Sequence, residues 1–168
     1  MASAKGRLAL TALDYFAAHG YGDIGVTQLS AAAGVTTGAL YHHYGSKLGL
    51  YDVARTEVER RVLDRLQGAV EARAGDPPGA AAKAALLVSF DFLAQQGSSR
   101  LLAEAHPSRQ HDPIEEYVAS VSDRRGIPLG PVLVAAWRAA LRAMADGVPS
   151  EHARAAFAAI NVEETARS

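Results

Sequence analysis

Cysteine is absent from the 168-residue chain, which excludes disulfides, thiolate-held metals and a cysteine nucleophile together and leaves the redox compartment open. Aromatic residues are few, at 7%, while alanine fills 35 positions. That bias favours residues that lose little entropy in helices over the β-branched and aromatic residues that suit sheets, so an all-α fold is expected. No apolar run reaches the roughly 18 residues of a membrane span. Lys5 and Arg7 are followed by Thr11 and Asp14 instead of an unbroken hydrophobic stretch, so no secretory signal is expected and the chain is assigned to the cytoplasm. An excess of one charge sign is also missing. Residues 1–74 carry eight Lys and Arg against seven acids, a balance of +1, and the remainder nine against eleven, or −2. That asymmetry decides nothing about nucleic acid. With 49% hydrophobic and 21% charged residues, the chain has the makings of one soluble globule.

The apolar spacing then sets out the helices. Ala9, Ala12, Leu13, Phe16 and Ala17 recur at helical intervals, and Gly20 stops a helix over about 4–19. Thr27 is expected to cap a short helix ending at Gly34, and Thr36 or Thr37 to cap another over 38–44 that Gly45 breaks. Ser46 opens a long helix to about residue 73, with Leu50, Ala54, Val58, Val62, Leu66 and Val70 on its inner side. Arg55 with Glu59, Glu57 with Arg61 and Arg60 with Asp64 are read as its solvated face. Gly75-Asp76-Pro77-Pro78-Gly79 collects helix breakers and marks the clearest boundary. Beyond it, helices are expected over 80–96, 98–106, about 114–125, 131–146 and 150–162, with a polar loop before Pro113. The domains are therefore drawn at 1–46, a connecting helix at 47–74, and a helical block at 75–168.

Two short helices separated by the Gly34-Val35 turn form a helix-turn-helix pattern, in which a small core holds one slim helix rigidly enough to enter a major groove about 12 Å wide. Small residues at its leading end let the backbone approach base edges, and Thr36, Thr37, Gly38 and Ala39 suit that approach. The run Ala33-Gly34-Val35-Thr36-Thr37-Gly38-Ala39-Leu40-Tyr41-His42-His43-Tyr44-Gly45-Ser46-Lys47 resembles the signature of TetR/AcrR-type transcriptional regulators, and with the preceding helices the likeness spans about residues 5–66.

The resemblance implies a DNA-binding regulator, a ligand-responsive repressor that binds a palindromic duplex operator as a homodimer and senses a small-molecule effector. Carried over position by position, it makes Thr36, Thr37, Gly38 and His43 the residues facing bases and Tyr41 and Lys47 the phosphate anchors, with Thr27 a further phosphate contact. Leu40 should be core. Departures from the pattern are Tyr44, where the family often has Phe, and Leu48-Gly49 after Lys47, where an acidic residue is common. Gly49 should weaken the first helical turn by ~1 kcal/mol relative to alanine. In the implied mechanism, a ligand shifts the long helix and so changes the separation of two recognition helices.

In the later block, Phe90, Asp91, Tyr117 and Trp137 are candidates for lining a ligand pocket, set against ordinary roles in the core or on an outer helix face. The last two helices are the expected partner surface, with Leu133, Trp137, Leu141, Met144, Phe157 and Ile160 as candidate contacts in an intersubunit four-helix bundle, or equally as intrachain core. His42 and His43 are adjacent and point about 100° apart, unlike a ligand pair at i and i+4, and His106, His111 and Asp112 read as a solvated loop, so no metal is expected. No nucleophile with its base, no carboxylate pair and no phosphate-cradling loop is recognisable, so neither enzymatic activity nor a cofactor is expected. A second reading is a helical ligand-binding or protein-interaction module that keeps the helix-turn-helix only as scaffold.

Overall fold

The computed structural model describes residues 3–123 and 126–162, which form nine helices and no strand. In chain order they are α1 (Ala4–His19), α2 (Val26–Ala32), α3 (Thr37–Tyr44), α4 (Lys47–Glu71), α5 (Pro78–Gln96), α6 (Ser99–Ala103), α7 (Pro113–Ser122), α8 (Leu129–Ala145) and α9 (Ser150–Ala158). The chain divides into two compact units, Met1–Val58 and Glu59–Ser168, with the division falling inside α4. No described helix is long and apolar enough to cross a membrane.

In the first unit, Ser3 caps α1 by accepting from the Gly6 amide at 3.1 Å, and Gly20, at φ 83°, ends it. Leu8, Ala12 and Phe16 bury one face of α1 together with Leu29 of α2 and Leu40 of α3. Phe16 meets Tyr51 edge-on with ring centroids 5.0 Å apart, which ties α1 to the opening of α4. The turn between α2 and α3 needs a residue at positive φ, and Gly34 supplies it at 63°. Arg7 holds that turn against α1, its Nε donating to the Ala33 carbonyl at 3.1 Å and a terminal nitrogen to that of Gly34 at 3.4 Å. Thr27 does not cap α2. Gly25 occupies the cap position and its amide donates to Gln28 Oε1 at 2.8 Å, so a side chain three residues on does the work and Thr27 lies exposed in the first turn.

Ser46 starts α4 as expected, its Oγ accepting from the Gly49 amide at 2.9 Å. Leu50, Ala54, Val58, Val62 and Leu66 are all buried. The solvated face holds for Arg60 and Asp64, an exposed pair at 2.9 Å, and fails for Arg55 and Glu59, which are 0% and 3% exposed. Opposite charges four apart are compatible with either environment, and spacing alone does not separate them. Arg55 donates to the Tyr51 hydroxyl at 3.1 Å.

The second unit centres on Leu86, Phe90, Leu93, Leu101, Leu102, Ile114, Val118, Leu133, Val134, Trp137, Leu141 and Phe157, all buried. Asp112 caps α7, accepting from the Ile114 and Glu115 amides, and also pairs with Arg138 of α8. Gly130 lets α8 touch α7: a Cβ there would lie 2.4 Å from Ala119 Cα. Lys83 of α5 donates to the carbonyls of Ala158 and Ile160 at 2.6 and 2.5 Å, satisfying the free end of α9. α6 is shorter than expected and stops before His106. That histidine is buried instead of solvated, its Nδ1 accepting from the Ser108 and Arg109 amides at 3.2 and 3.1 Å, while Arg109 reaches Glu59 at 2.8 Å.

Candidate nucleic-acid interface

Leu40 is the buried side of α3, and its opposite side is open to solvent. Thr36, the N-cap, accepts from the Ala39 amide at 3.2 Å, which fixes its side chain at the leading end and leaves its hydroxyl proton free to point outward. Thr37, Gly38 and Tyr41 are exposed, Tyr41 at 52%, and the four-residue step from Thr37 to Tyr41 aligns them on one face. His43 is half-buried. The α3 candidates Thr36, Thr37, Gly38, Tyr41 and His43 thus share one short helix, while Thr27 and Lys47 lie in the first turns of α2 and α4.

Lys47 is already engaged inside the unit. Its Nζ donates to the Ile24 carbonyl at 2.8 Å and stands 4.3 Å from the centre of the Tyr21 ring. An ammonium has three protons, so this bond orients the group without exhausting it. Three features escaped the sequence reading. His42 is exposed at the end of α3. The Tyr44 hydroxyl donates to the Lys5 carbonyl at 2.6 Å, which phenylalanine could not do. Gly49, expected only to weaken α4, is sterically required, because a Cβ there would lie 2.1 Å from the Tyr44 carbonyl oxygen. Partial burial also pushes the Tyr44 phenol above its usual range, keeping it a donor.

The four pocket candidates lie on three helices, α5, α7 and α8. Phe90 and Trp137 are fully buried, on α5 and α8. Asp91 turns to Arg154 of α9, which binds both its oxygens at 2.6 and 3.0 Å. That bond is the main reason the guanidinium is held above its usual range, despite an opposing effect of burial. Tyr117 is half-buried, its phenol pushed up first by burial and then by the nearby Glu71 carboxylate. Ser89 Oγ, which the sequence did not mark, and Trp137 Nε1 are buried without hydrogen-bond partners, on helices that pack together.

The subunit-contact candidates differ in how much of each side chain the chain itself covers. Leu133, Trp137, Leu141 and Phe157 are at most 2% exposed within the chain and take the alternative, intrachain-core role. Met144 is half-buried and Ile160 is exposed. The outward faces of α8 and α9 carry instead Val132, Ala135 and Ala139, and Ala155, Ala156 and Ala159. Among the described residues no group of three metal-ligating side chains occurs.

Residues 10–54 match the family model of bacterial regulatory proteins, tetR family. A solved structure assigned to that family of transcription regulators, from Shewanella sp. PV-4, aligns over 94% of this chain and 95% of its own, at 21% identity and a TM-score of 0.66. No curated protein matches the sequence. The solved structure shares the all-helical fold, and the matched segment contains the helix-turn-helix of α2 and α3. Within that fold, the likeness to the tetR family model is confined to residues 10–54, which hold most of α1, all of α2 and α3 and the opening of α4.

Proposed function

We propose that the protein is a homodimeric, cytoplasmic repressor that binds a palindromic operator and releases it when a small molecule enters the second unit. The observation that carries this reading is the leading end of α3, where Thr36, Thr37, Gly38 and Tyr41 lie open on a helix whose back, Leu40, is locked into the core. Thr36, Thr37, Gly38 and His43 face base edges, Gly38 by admitting the backbone itself. Tyr41 and Lys47 hold phosphates, and Thr27 adds a hydroxyl at the start of α2.

One eight-residue helix offers too few contacts for tight specific binding, so two copies related by a twofold axis read two half-sites about one helical turn of DNA apart. The alanine-lined faces of α8 and α9, with Val132 and Ile160, suit close helix approach between subunits. The unsatisfied Trp137 indole and Ser89 hydroxyl favour an effector that is largely apolar and carries a hydrogen-bond acceptor. Its binding alters α4, which begins at the DNA-binding unit, and thereby changes the separation of the two α3 helices.

The test is selection of duplexes from a random library by the full chain, with footprinting of the winners. A twofold-symmetric protected site bound by two subunits supports the reading. Retention of no duplex above background would leave the helix-turn-helix as scaffold only.

A further inference from the structure

The first unit carries four Lys and Arg side chains, Lys5, Arg7, Lys47 and Arg55. Three are committed to the protein itself. Arg7 donates to the carbonyls of Ala33 and Gly34 at 3.1 and 3.4 Å, Lys47 donates to that of Ile24 at 2.8 Å, and Arg55 is fully buried and donates to the Tyr51 hydroxyl at 3.1 Å. Lys5 is exposed, and among the described residues its ammonium has no hydrogen bond or ion pair. An outside anion can take it without displacing a protein partner.

The place of Lys5 is fixed through its backbone. The Tyr44 hydroxyl, on the last residue of α3, donates to the Lys5 carbonyl at 2.6 Å. Two residues further along α1, Arg7 holds the carbonyls of the turn that leads into α3. The first turn of α1 is therefore fastened at both ends of α3. Tyr41 stands three residues before Tyr44, so the two are neighbours on the helix surface. The closing turn of α3 thus brings together the exposed phenol of Tyr41 and, through Tyr44, the backbone that bears an unengaged ammonium.

We propose that Lys5 is a further phosphate contact of the DNA-binding face and that Tyr44 is the residue that positions it. This rests on the DNA-binding reading of α3 and adds an anchor from outside the helix-turn-helix. Lysine is a point charge on a flexible four-carbon stem, so the freedom it loses on gripping a phosphate is smaller when its backbone is already held. The bond from Tyr44 supplies that hold. Phenylalanine in its place lacks the bond and leaves the first turn of α1 freer to fray. A contact of this kind adds affinity for every sequence alike and is weakened by salt.

The test uses the full chain with a duplex it has selected and a scrambled one, and reads dissociation constants by fluorescence anisotropy over a series of salt concentrations. Lys5→Gln keeps the backbone carbonyl and the helix propensity and removes the charge. It should bind both duplexes more weakly, with the log–log salt slope lowered by about 0.9, a difference of about eightfold in affinity over a tenfold span of salt. Tyr44→Phe, shown to be folded by circular dichroism at the assay temperature, should weaken binding by about twofold or more in the wild-type background and have no effect in the Lys5→Gln background. A purely structural loss would be the same in both. Wild-type affinity and salt slope in Lys5→Gln overturn the inference and leave DNA binding by α3 intact. An equal effect of Tyr44→Phe in the two backgrounds, or no effect in either, overturns the positioning role. Failure of the wild type to retain any duplex overturns the inference together with the DNA-binding reading.

Discussion

A Cβ at Gly49 would lie 2.1 Å from the carbonyl oxygen of Tyr44, so the first turn of α4 rests directly on the backbone that ends α3. Gly49→Ala gains ~1 kcal/mol of helix propensity and forces the two helices apart. The clash is with backbone, not with a yielding side chain, so the net effect should be a loss of about 1–3 kcal/mol. Urea unfolding of the variant checks this. A rise in stability would mean that the junction between α3 and α4 is looser than described.

Gly38 presents the opposite case. A Cβ there meets only Thr36 Oγ1, at 3.7 Å, an ordinary contact, and the position is exposed. Nothing inside the protein requires glycine. Gly38→Ala should therefore raise stability by about 0.5–1 kcal/mol while weakening operator binding by about tenfold or more, because the added methyl stands where a base edge approaches. Thermal unfolding and anisotropy on the same preparation read the two effects. Unchanged affinity would remove Gly38 from the interface.

Tyr44→Phe removes the hydroxyl that donates to the Lys5 carbonyl at 2.6 Å. The site is partly exposed, so the cost should be modest, about 0.5–1 kcal/mol. Because burial raises the folded-state pKa of this phenol, the advantage of tyrosine should be constant below the ordinary tyrosine range, near 10, and disappear as the pH rises through the higher folded value. Stability of both proteins measured from neutral to alkaline pH tests the sign. A difference that grew with pH would contradict it.

Trp137→Phe removes an indole N–H that is buried without a partner in the free protein. Stability should change by less than about 1 kcal/mol, since the lost packing is offset by relief of an unsatisfied donor. Release of DNA by an effector should fail or need far higher concentration. A variant that unfolds readily yet responds normally to effector would show that the indole is structural.

The helices were legible in the sequence because apolar spacing and caps agree: α1 spans Ala4–His19 as expected, and Ser46 and Thr36 take their expected cap positions. What escaped depends on contacts between elements. The Gly25–Gln28 cap has no side chain at its cap residue to mark it. Arg55 and Glu59 have the spacing of a surface pair and are buried. On α8 the strongest apolar positions, Leu133, Trp137 and Leu141, go to the chain's own core, so the positions left outward are Val132, Ala135, Ala139 and Arg142. Of the proposed DNA contacts, the run Thr36–Lys47 stood out through its pattern, whereas the place of Thr27, exposed in the first turn of α2 and not its cap, required the fold.

The exposed end of α3 as a DNA reader is tested most directly by salt titration of binding to a selected duplex and to a scrambled one, for the wild type and for Tyr41→Phe, Lys47→Ala and Thr37→Ala. The account predicts tight, salt-sensitive binding with strong preference for the selected duplex. Tyr41→Phe and Lys47→Ala should weaken both duplexes alike, with the salt slope falling by about 0.9 for Lys47→Ala, and Thr37→Ala should erode the preference instead. Equal affinity of the wild type for both duplexes at every salt concentration, or wild-type behaviour in all three variants, would contradict it.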